Sequence, residues 1–240
     1  MNSTHAAPAA DTLVFDPRHN GPPTSGNGGW VAGALAQRLG TPVVSVALRA
    51  PIPLGLPLQV APQPDGSLAL MHAGQLVADA APATLALAVP PAPDDDSAEA
   101  AGVAARLRHQ ARGLGDAYAR CFACGFARPD GLGVIVGPVG DDGLMATVWT
   151  PAASLADSDG TIPPEATWAA LDCPAGMAWS HRLGRSAPIV TARMTATIHQ
   201  PLRAGERLRV LAWPLHREGR KLHAGSAIVD AQGVVRARSL

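Results

Sequence analysis

The residue with the clearest chemical potential is an aspartate in an apolar stretch, 163–184, which reads PPEATWAALDCPAGMAWSHRLG. Its neighbours recur at spacings of three and four, which places them on one face of a helix. The residues of this face are Trp168, Leu171, Asp172, Ala175 and Trp179. A carboxylate on an apolar face is costly unless it is paired or functional, and burial raises its pKa toward that of a useful base. Asp172 is therefore the candidate catalytic residue.

Two interpretations of Asp172 remain open at this point. Pro163 and Pro164 suit the first turn of one long helix that ends at Gly184. Pro174, however, removes a hydrogen bond inside that helix and is a potential break. Asp172 would then be the N-cap of a helix that restarts just after it.

A second candidate feature is the Gly-rich lead-in to a predicted helix at Trp30–Leu39, which Gly40 ends. Backbone N–H groups at a helix N-terminus favour negative charge, and glycines allow close approach to the backbone. We therefore predict that Gly28 and Gly29 donate hydrogen bonds to an oxyanion of a substrate and that Asn27 contacts the substrate. The alternative is a plain loop in which Asn27 caps the helix.

The three cysteines offer a weaker signal. Cys121 and Cys124 form a C-x-x-C pair, and Cys173 is the only other cysteine. A structural zinc site usually takes four ligands, so we predict no metal and treat these side chains as packing residues. Three cysteines do not make a disulfide framework, which favours a reducing cytoplasm.

The composition excludes several classes of function. Lys plus Arg and Asp plus Glu each total 19, so no basic surface for nucleic acid or an anionic membrane is expected. No apolar run approaches the ~20 residues of a transmembrane helix, and the N-terminus does not resemble a signal peptide. Hydrophobic residues make up 47% of the 240-residue chain, enough for a sizeable core. The abundance of Ala, Pro and Gly is typical of a bacterial protein from a GC-rich genome.

The chain divides at a linker. Residues 90–96 read PPAPDDD and precede an Ala-rich helix, predicted from an N-cap at Ser97 to about Arg112. We assign one unit to residues 1–89, with a loose tail over 1–11, a linker with its helix to 90–120 and a second unit to 121–240. Short β-rich runs account for most of both units. They are Thr12–Phe15, Val43–Arg49, Leu58–Ala61, Ser67–Ala80, Leu85–Val89, Val134–Gly137, Leu144–Trp149, Pro188–Ile198, Glu206–Leu215, Lys221–Asp230 and Val234–Arg238.

Short motifs recur in the same order in both units, which indicates a duplication. The matching pairs are Ala32-Gly33 with Ala175-Gly176, Arg38–Gly40 with Arg182–Gly184, Pro42–Ser45 with Pro188–Thr191, Pro53-Leu54 with Pro201-Leu202, and His72–Gly74 with His223–Gly225. Each unit is a helix followed by antiparallel strands, so we predict an α+β protein in which each sheet wraps around a central helix. The repeat also sets Gly29 opposite Asp172, which predicts one asymmetric site between the units.

This order of elements, the closing hairpin GRKLHAGSAIVDAQGVVRARS and the segment CFACGFARPDGLGV resemble the double-hotdog acyl-CoA thioesterases, the type II thioesterase-like proteins. The resemblance implies a tandem hotdog that hydrolyses acyl thioesters. It also implies that Asp172 holds the attacking water and that Thr195, four residues before His199, assists. A Gln that assists in that family has no counterpart at Ser239-Leu240.

The expected substrate is a small acyl thioester of coenzyme A or a carrier, with no cofactor beyond that coenzyme A. We expect no nucleic-acid or membrane partner, and a homodimer of double-hotdog chains is an open expectation. Trp168 and His199 are assigned to the substrate cleft, although a tryptophan on this helix face is more typical of the core. A non-catalytic acyl-CoA binding protein on the same fold remains the alternative.

Overall fold

The computed structural model describes residues 11–184 and 189–240. Most of the predicted N-terminal tail, residues 1–10, and Pro188 of a predicted strand lie outside the described residues.

Three α-helices and eleven strands make up the described chain. The helices are α1 (Gly28–Leu39), α2 (Asp95–Ala111) and α3 (Pro164–Arg182). The strands are β1 (Thr12–Val14), β2 (Val43–Leu48), β3 (Pro57–Pro62), β4 (Leu68–His72), β5 (Gln75–Pro82), β6 (Gly137–Pro138), β7 (Met145–Trp149), β8 (Arg193–Ile198), β9 (Leu208–Glu218), β10 (Lys221–Val229) and β11 (Val235–Ser239). Two 3-10 turns lie at Pro17–His19 and Ala153–Leu155.

All the strands join one antiparallel sheet in the order β1-β3-β4-β5-β2-β8-β11-β10-β9-β7-β6. Within the first half, the strands stand in the order first, third, fourth, fifth, second. The second half repeats that order from β7 to β11, with β6 added at the edge. The two halves join where β2 pairs with β8, and Ser45 lies opposite Thr195 there. The topology therefore contains a duplicated unit of a strand, a helix, a strand at the junction and a three-stranded meander, whose last strand pairs with the junction strand.

Some of the predicted elements are wrong in detail. Leu85–Val89 is not a strand; instead, the Leu87 carbonyl oxygen accepts a hydrogen bond from Arg238 at 2.7 Å. Helix α2 is capped by Asp94 rather than Ser97, because the Asp94 carboxylate accepts the Ser97 N–H at 2.8 Å. Of Val134–Gly137, only Gly137 belongs to a strand.

One of the repeat matches also fails in three dimensions. In the first half, Ala73 and Gly74 form the turn between β4 and β5, and both have positive φ angles, 48° and 79°. In the second half, His223–Gly225 lies inside β10, and the corresponding turn falls after Val229. The short sequence match therefore does not mark equivalent positions.

Helix α3 is continuous through Pro174. The restarted helix considered for Asp172 does not form, so Asp172 does not cap α3. Proline in a helix interior costs roughly 3 kcal/mol. Burial of apolar side chains on both sides of Pro174, including Leu171 and Trp179, offsets that cost.

Two glycines allow α1 and α3 to pack closely. A Cβ added at Gly29 would lie 2.5 Å from the Trp168 carbonyl oxygen, and one at Gly33 would lie 2.7 Å from Glu165 Cα. The partners of Gly29 come later in α3 than those of Gly33, so the two helices run antiparallel. Their backbones are closer than any larger residue at these positions would permit.

We predict that Gly33→Ala lowers the free energy of unfolding by about 1–3 kcal/mol, because its methyl group would overlap the α3 backbone. The matched control is Gly176→Ala in α3, whose Cβ would lie 3.7 Å from Ile189, an ordinary contact distance. That variant should gain up to about 1 kcal/mol from helix propensity. Urea denaturation of both variants measures the difference, and equal effects would contradict the close packing of the two helices.

Candidate active site

The Asp172 side chain lies in the interface between the two central helices, with 8% of the residue exposed. Its Oδ2 accepts a hydrogen bond from the Gly29 backbone N–H of α1 at 2.8 Å. Its Oδ1 accepts a second hydrogen bond from the Thr191 hydroxyl. The carboxylate is thus fixed by one group from each half of the chain.

Two opposing effects act on the pKa of Asp172. Burial raises the pKa to about 6, whereas the hydrogen bonds from Thr191 and Gly29 lower it. Burial dominates because removal of water disfavours the charged form more than two hydrogen bonds favour it. A carboxylate of this kind can accept a proton close to neutral pH.

The N-terminus of α1 lies directly beside this carboxylate. Gly28 is half-buried, and a Cβ added to it would lie 3.1 Å from Asp172 Oδ2 and 3.3 Å from Thr191 Cβ. Among the described residues, the Gly28 N–H has no hydrogen-bond acceptor. The Gly29 N–H, in contrast, is used by Asp172. The two glycines therefore differ, since the Gly29 N–H positions the carboxylate and the Gly28 N–H has no acceptor among the described residues.

Asn27 serves as the N-cap of α1. Its side-chain oxygen accepts the Trp30 N–H at 2.9 Å, and its Nδ2 faces the sulfurs of Cys121 and Cys173 at 3.8 and 3.9 Å. Only 1% of Asn27 is exposed. The substrate contact predicted for Asn27 is therefore replaced by contacts within the protein.

The hydroxyl partner of Asp172 differs from the one expected. Thr195 lies in β8, and its hydroxyl donates to Ser45 Oγ at 3.0 Å across the junction of the two halves. Thr191 lies just before β8, where the chain can turn its side chain toward α3. Thr191 therefore occupies the position that the sequence assigned to Thr195.

Among the described residues, neither Trp168 nor His199 forms a hydrogen bond with the Asp172 carboxylate. Trp168 is 3% exposed and borders a separate cleft of about 400 Å³, together with Pro164, Thr197 and other residues of α1, β2 and β8. Neither Asp172 nor His199 lines that cleft. His199 is exposed at the end of β8, and its backbone N–H donates to Arg236.

The end of the last strand, β11, is connected to α3 through a pair of serines. Ser239 Oγ and Ser226 Oγ are 2.8 Å apart, and Ser226 donates to the Leu171 carbonyl oxygen at 2.7 Å. Ser239 thus reaches the residue before Asp172 only through Ser226. The Gln of the resembled family has no equivalent among these contacts.

Two residues near the site carried no functional assignment from the sequence. Thr191 belonged to a recognised repeat motif, but its contact depends on the point at which β8 begins. Tyr118 extends from the loop after α2 and donates to the Ile189 carbonyl oxygen at 3.1 Å. Burial raises the pKa of Tyr118 to about 12. No periodicity or spacing in the sequence signals either contact.

The fold matches solved structures over almost the whole chain. A protein from Novosphingobium aromaticivorans described as a "putative thioesterase" aligns with 98% of this chain and 97% of its own, with 16% identity and a TM-score of 0.60. A "putative thioesterase II" from Thermobifida fusca aligns over 95% and 90%, with 14% identity and a TM-score of 0.58. A protein of unknown function with a hot dog fold from Alicyclobacillus acidocaldarius aligns over 95% and 89%, with 12% identity and a TM-score of 0.58.

No protein-family model and no curated protein matches the sequence. The structural matches are nevertheless sufficient for the fold, since they cover both halves. The chain has the hotdog fold in two tandem copies, which confirms the predicted double-hotdog, α+β architecture. Within residues 11–184 and 189–240, none of the helices combines the length and apolar character needed to cross a bilayer.

A stacked aromatic group lies close to the site, at the start of α1. The His19 ring stacks on Trp30 with centroids 3.7 Å apart, and Phe122 packs edge-on against both rings. Burial and, to a lesser extent, the neighbouring Arg18 lower the pKa of His19 to about 4. Folding therefore requires a neutral imidazole at this position.

We predict that His19 makes the protein less stable as the pH falls from about 6.5 to about 4. In this window the unfolded chain binds a proton at His19 that the folded chain excludes, so acid favours unfolding. His19→Phe keeps a ring against Trp30 and removes the titration. From pH 7 to pH 4.5, the urea midpoint should fall less in this variant than in the wild type. An equal fall in both proteins would contradict the prediction.

Proposed function

We propose that this protein hydrolyses acyl thioesters, such as acyl-CoA, at Asp172. The observation that carries the proposal is the position of the Asp172 carboxylate, which α1 and Thr191 hold in place beside the Gly28 N–H. A base and an adjacent backbone donor at a helix N-terminus are the two groups that thioester hydrolysis needs.

In the proposed reaction, a water molecule beside Asp172 attacks the thioester carbonyl carbon and gives its proton to the carboxylate. The Gly28 N–H donates to the oxyanion that develops. The tetrahedral intermediate then collapses, the C–S bond breaks, and the thiol leaves with the proton that Asp172 holds. No cofactor takes part, because coenzyme A enters only as a portion of the substrate.

The fold supports the proposal without specifying the substrate. Structures aligned over almost the full chain are described as thioesterases, at identities of 16% and 14%. Identities this low transfer the architecture alone. The chemistry therefore rests on the residues of this chain, and the acyl group is left to experiment.

A second function has one observation in its favour. Both oxygens of Asp172 already have protein partners, so the carboxylate also acts as a cap on α1. If capping is its sole role, the protein binds acyl thioesters without hydrolysing them. A carboxylate has about four lone-pair sites, so two hydrogen bonds leave room for a water, and this favours the enzyme.

We predict that Asp172→Asn abolishes thiol release from a panel of short, medium, long and aromatic acyl-CoAs. An asparagine can accept the Gly29 N–H and donate to Thr191, so the packing persists while the base is lost. The matched control is Glu165→Gln, which removes a carboxylate from the first turn of the same helix and should keep its activity.

Thermal unfolding of both variants separates catalysis from stability. Since burial raises the pKa of Asp172 to about 6, ionisation of this carboxyl at neutral pH costs more free energy in the folded state than in the unfolded chain. Asp172→Asn should therefore be at least as stable as the wild type at pH 7. Equal turnover in the wild type and Asp172→Asn would reduce Asp172 to a cap, and no wild-type turnover on any substrate would favour the binding protein.

We further predict that Thr191→Val lowers turnover about 10- to 100-fold, the usual consequence of losing a hydrogen bond to a charged group. Thr195→Val is the matched variant, because it removes a hydroxyl from the same segment that contacts Ser45 instead. It should leave turnover unchanged. A larger loss of turnover in Thr195→Val than in Thr191→Val would instead support the role that the family resemblance implied for Thr195.

A further inference from the structure

The C-x-x-C pair and the third cysteine, which is distant in sequence, come together beside the N-cap of α1. Cys121 and Cys124 come from the loop after α2, and Cys173 comes from α3. Their sulfur atoms all lie within 4.8 Å of one another, and those of Cys121 and Cys173 are 3.7 Å apart. Zinc–sulfur bonds of about 2.3 Å in a tetrahedron place the sulfurs roughly 3.8 Å apart. The spacing therefore fits a shared metal ion.

The loop around the C-x-x-C pair has a tight, glycine-dependent shape. The Gly125 N–H donates to the Cys121 carbonyl oxygen at 2.8 Å. A Cβ at position 125 would lie 2.5 Å from that oxygen. The turn brings both cysteines of the pair to the same cluster, and glycine at 125 is the residue that permits it.

A second, independent observation is that N–H groups point at the sulfurs. Asn27 Nδ2 lies 3.8 Å from Cys121 Sγ and 3.9 Å from Cys173 Sγ. The N–H groups of Asn27 directed at these two sulfurs favour their thiolate form.

The three sulfurs have no positively charged hydrogen-bond partner among the described residues. Cys121 and Cys124 are buried, and a buried thiolate is costly without a positive partner. No Lys, Arg or His side chain forms a hydrogen bond with these sulfurs among the described residues. The nearby Asp172 carboxylate is directed at Gly29 and Thr191. A divalent cation would supply the missing charge, and the half-buried Cys173 leaves a side open toward solvent.

We propose that Cys121, Cys124 and Cys173 bind a Zn²⁺ ion that ties the loop after α2 to α3. On binding, the thiols lose their protons to solvent and three Zn–S bonds form, so the affinity rises with pH. The fourth position is left for a water molecule. This inference does not depend on the proposed function, because no step of the proposed hydrolysis uses the ion.

The proposal differs from the expectation drawn from the sequence, which assigned no metal because a third ligand was uncertain and a fourth was missing. In the fold, Cys173 lies close to Cys121 and Cys124. It also adds Asn27 as a positioning residue that donates to two sulfurs.

The test is metal analysis of the purified wild-type protein by inductively coupled plasma mass spectrometry, without an affinity tag. We expect about one zinc per chain. Protein stripped with a chelator under reducing conditions should take up one Zn²⁺ in competition with a chromophoric chelator. A thiol count in denaturant should give all three cysteines.

Variants assign the ligands. Cys124→Ser should lose the bound zinc, and Asn27→Ser, which keeps a helix cap but removes the amide donor, should weaken zinc binding about 10- to 100-fold. Asp172→Asn, the matched control next to Cys173, should bind zinc as the wild type does. Retention of zinc in Cys124→Ser together with its loss in Asp172→Asn would overturn the ligand set.

Three other outcomes would overturn the proposal without any variant. They are purified protein that contains no zinc and binds none after reduction, protein that contains copper instead, and a thiol count of one. The last result would show a disulfide in place of the metal site.

Discussion

The contact between the Asp172 carboxylate and the Gly29 N–H is the interaction on which the account depends. It joins the central helices of two units that share one sheet. It exists because glycines at 29 and 33 let the α1 backbone approach α3, and because α3 continues through Pro174. The carboxylate is buried at an energetic cost, which appears as its raised pKa, and the helix N-terminus returns part of that cost by favouring negative charge.

The duplication supplies two similar helix starts, but the two differ in the polar groups that they present. At the start of α1, Asn27 caps the helix, Gly28 leaves an N–H without an acceptor among the described residues, and α3 provides Asp172. At the start of α3, Pro163 and Pro164 have no N–H to offer. The cleft beside Trp168 lies at this second end and has no acidic residue in its lining. The two helix starts therefore differ in their chemistry.

Much of the fold followed from the sequence, because helix periodicity, capping residues and turns are local signals. The period of α3 put Asp172 on a buried face, and the repeat set Gly29 opposite it. What the sequence could not provide were contacts that depend on where an element begins. The family resemblance assigned the hydroxyl to Thr195 from its spacing to His199, whereas β8 begins at Arg193 and Thr191, just before it, contacts Asp172 in α3. The convergence of Cys173 with the C-x-x-C loop is likewise a tertiary contact that spacing alone does not predict.

The most direct measurement of the central claim is a crystal structure with a ketone analogue of an acyl-CoA, in which a methylene group replaces the thioester sulfur. Such an analogue keeps the carbonyl group and resists hydrolysis. The account predicts that the carbonyl oxygen accepts the Gly28 N–H and that the carbonyl carbon faces Asp172. An analogue bound in the cleft beside Trp168 and Thr197, with its carbonyl remote from Asp172, would contradict it.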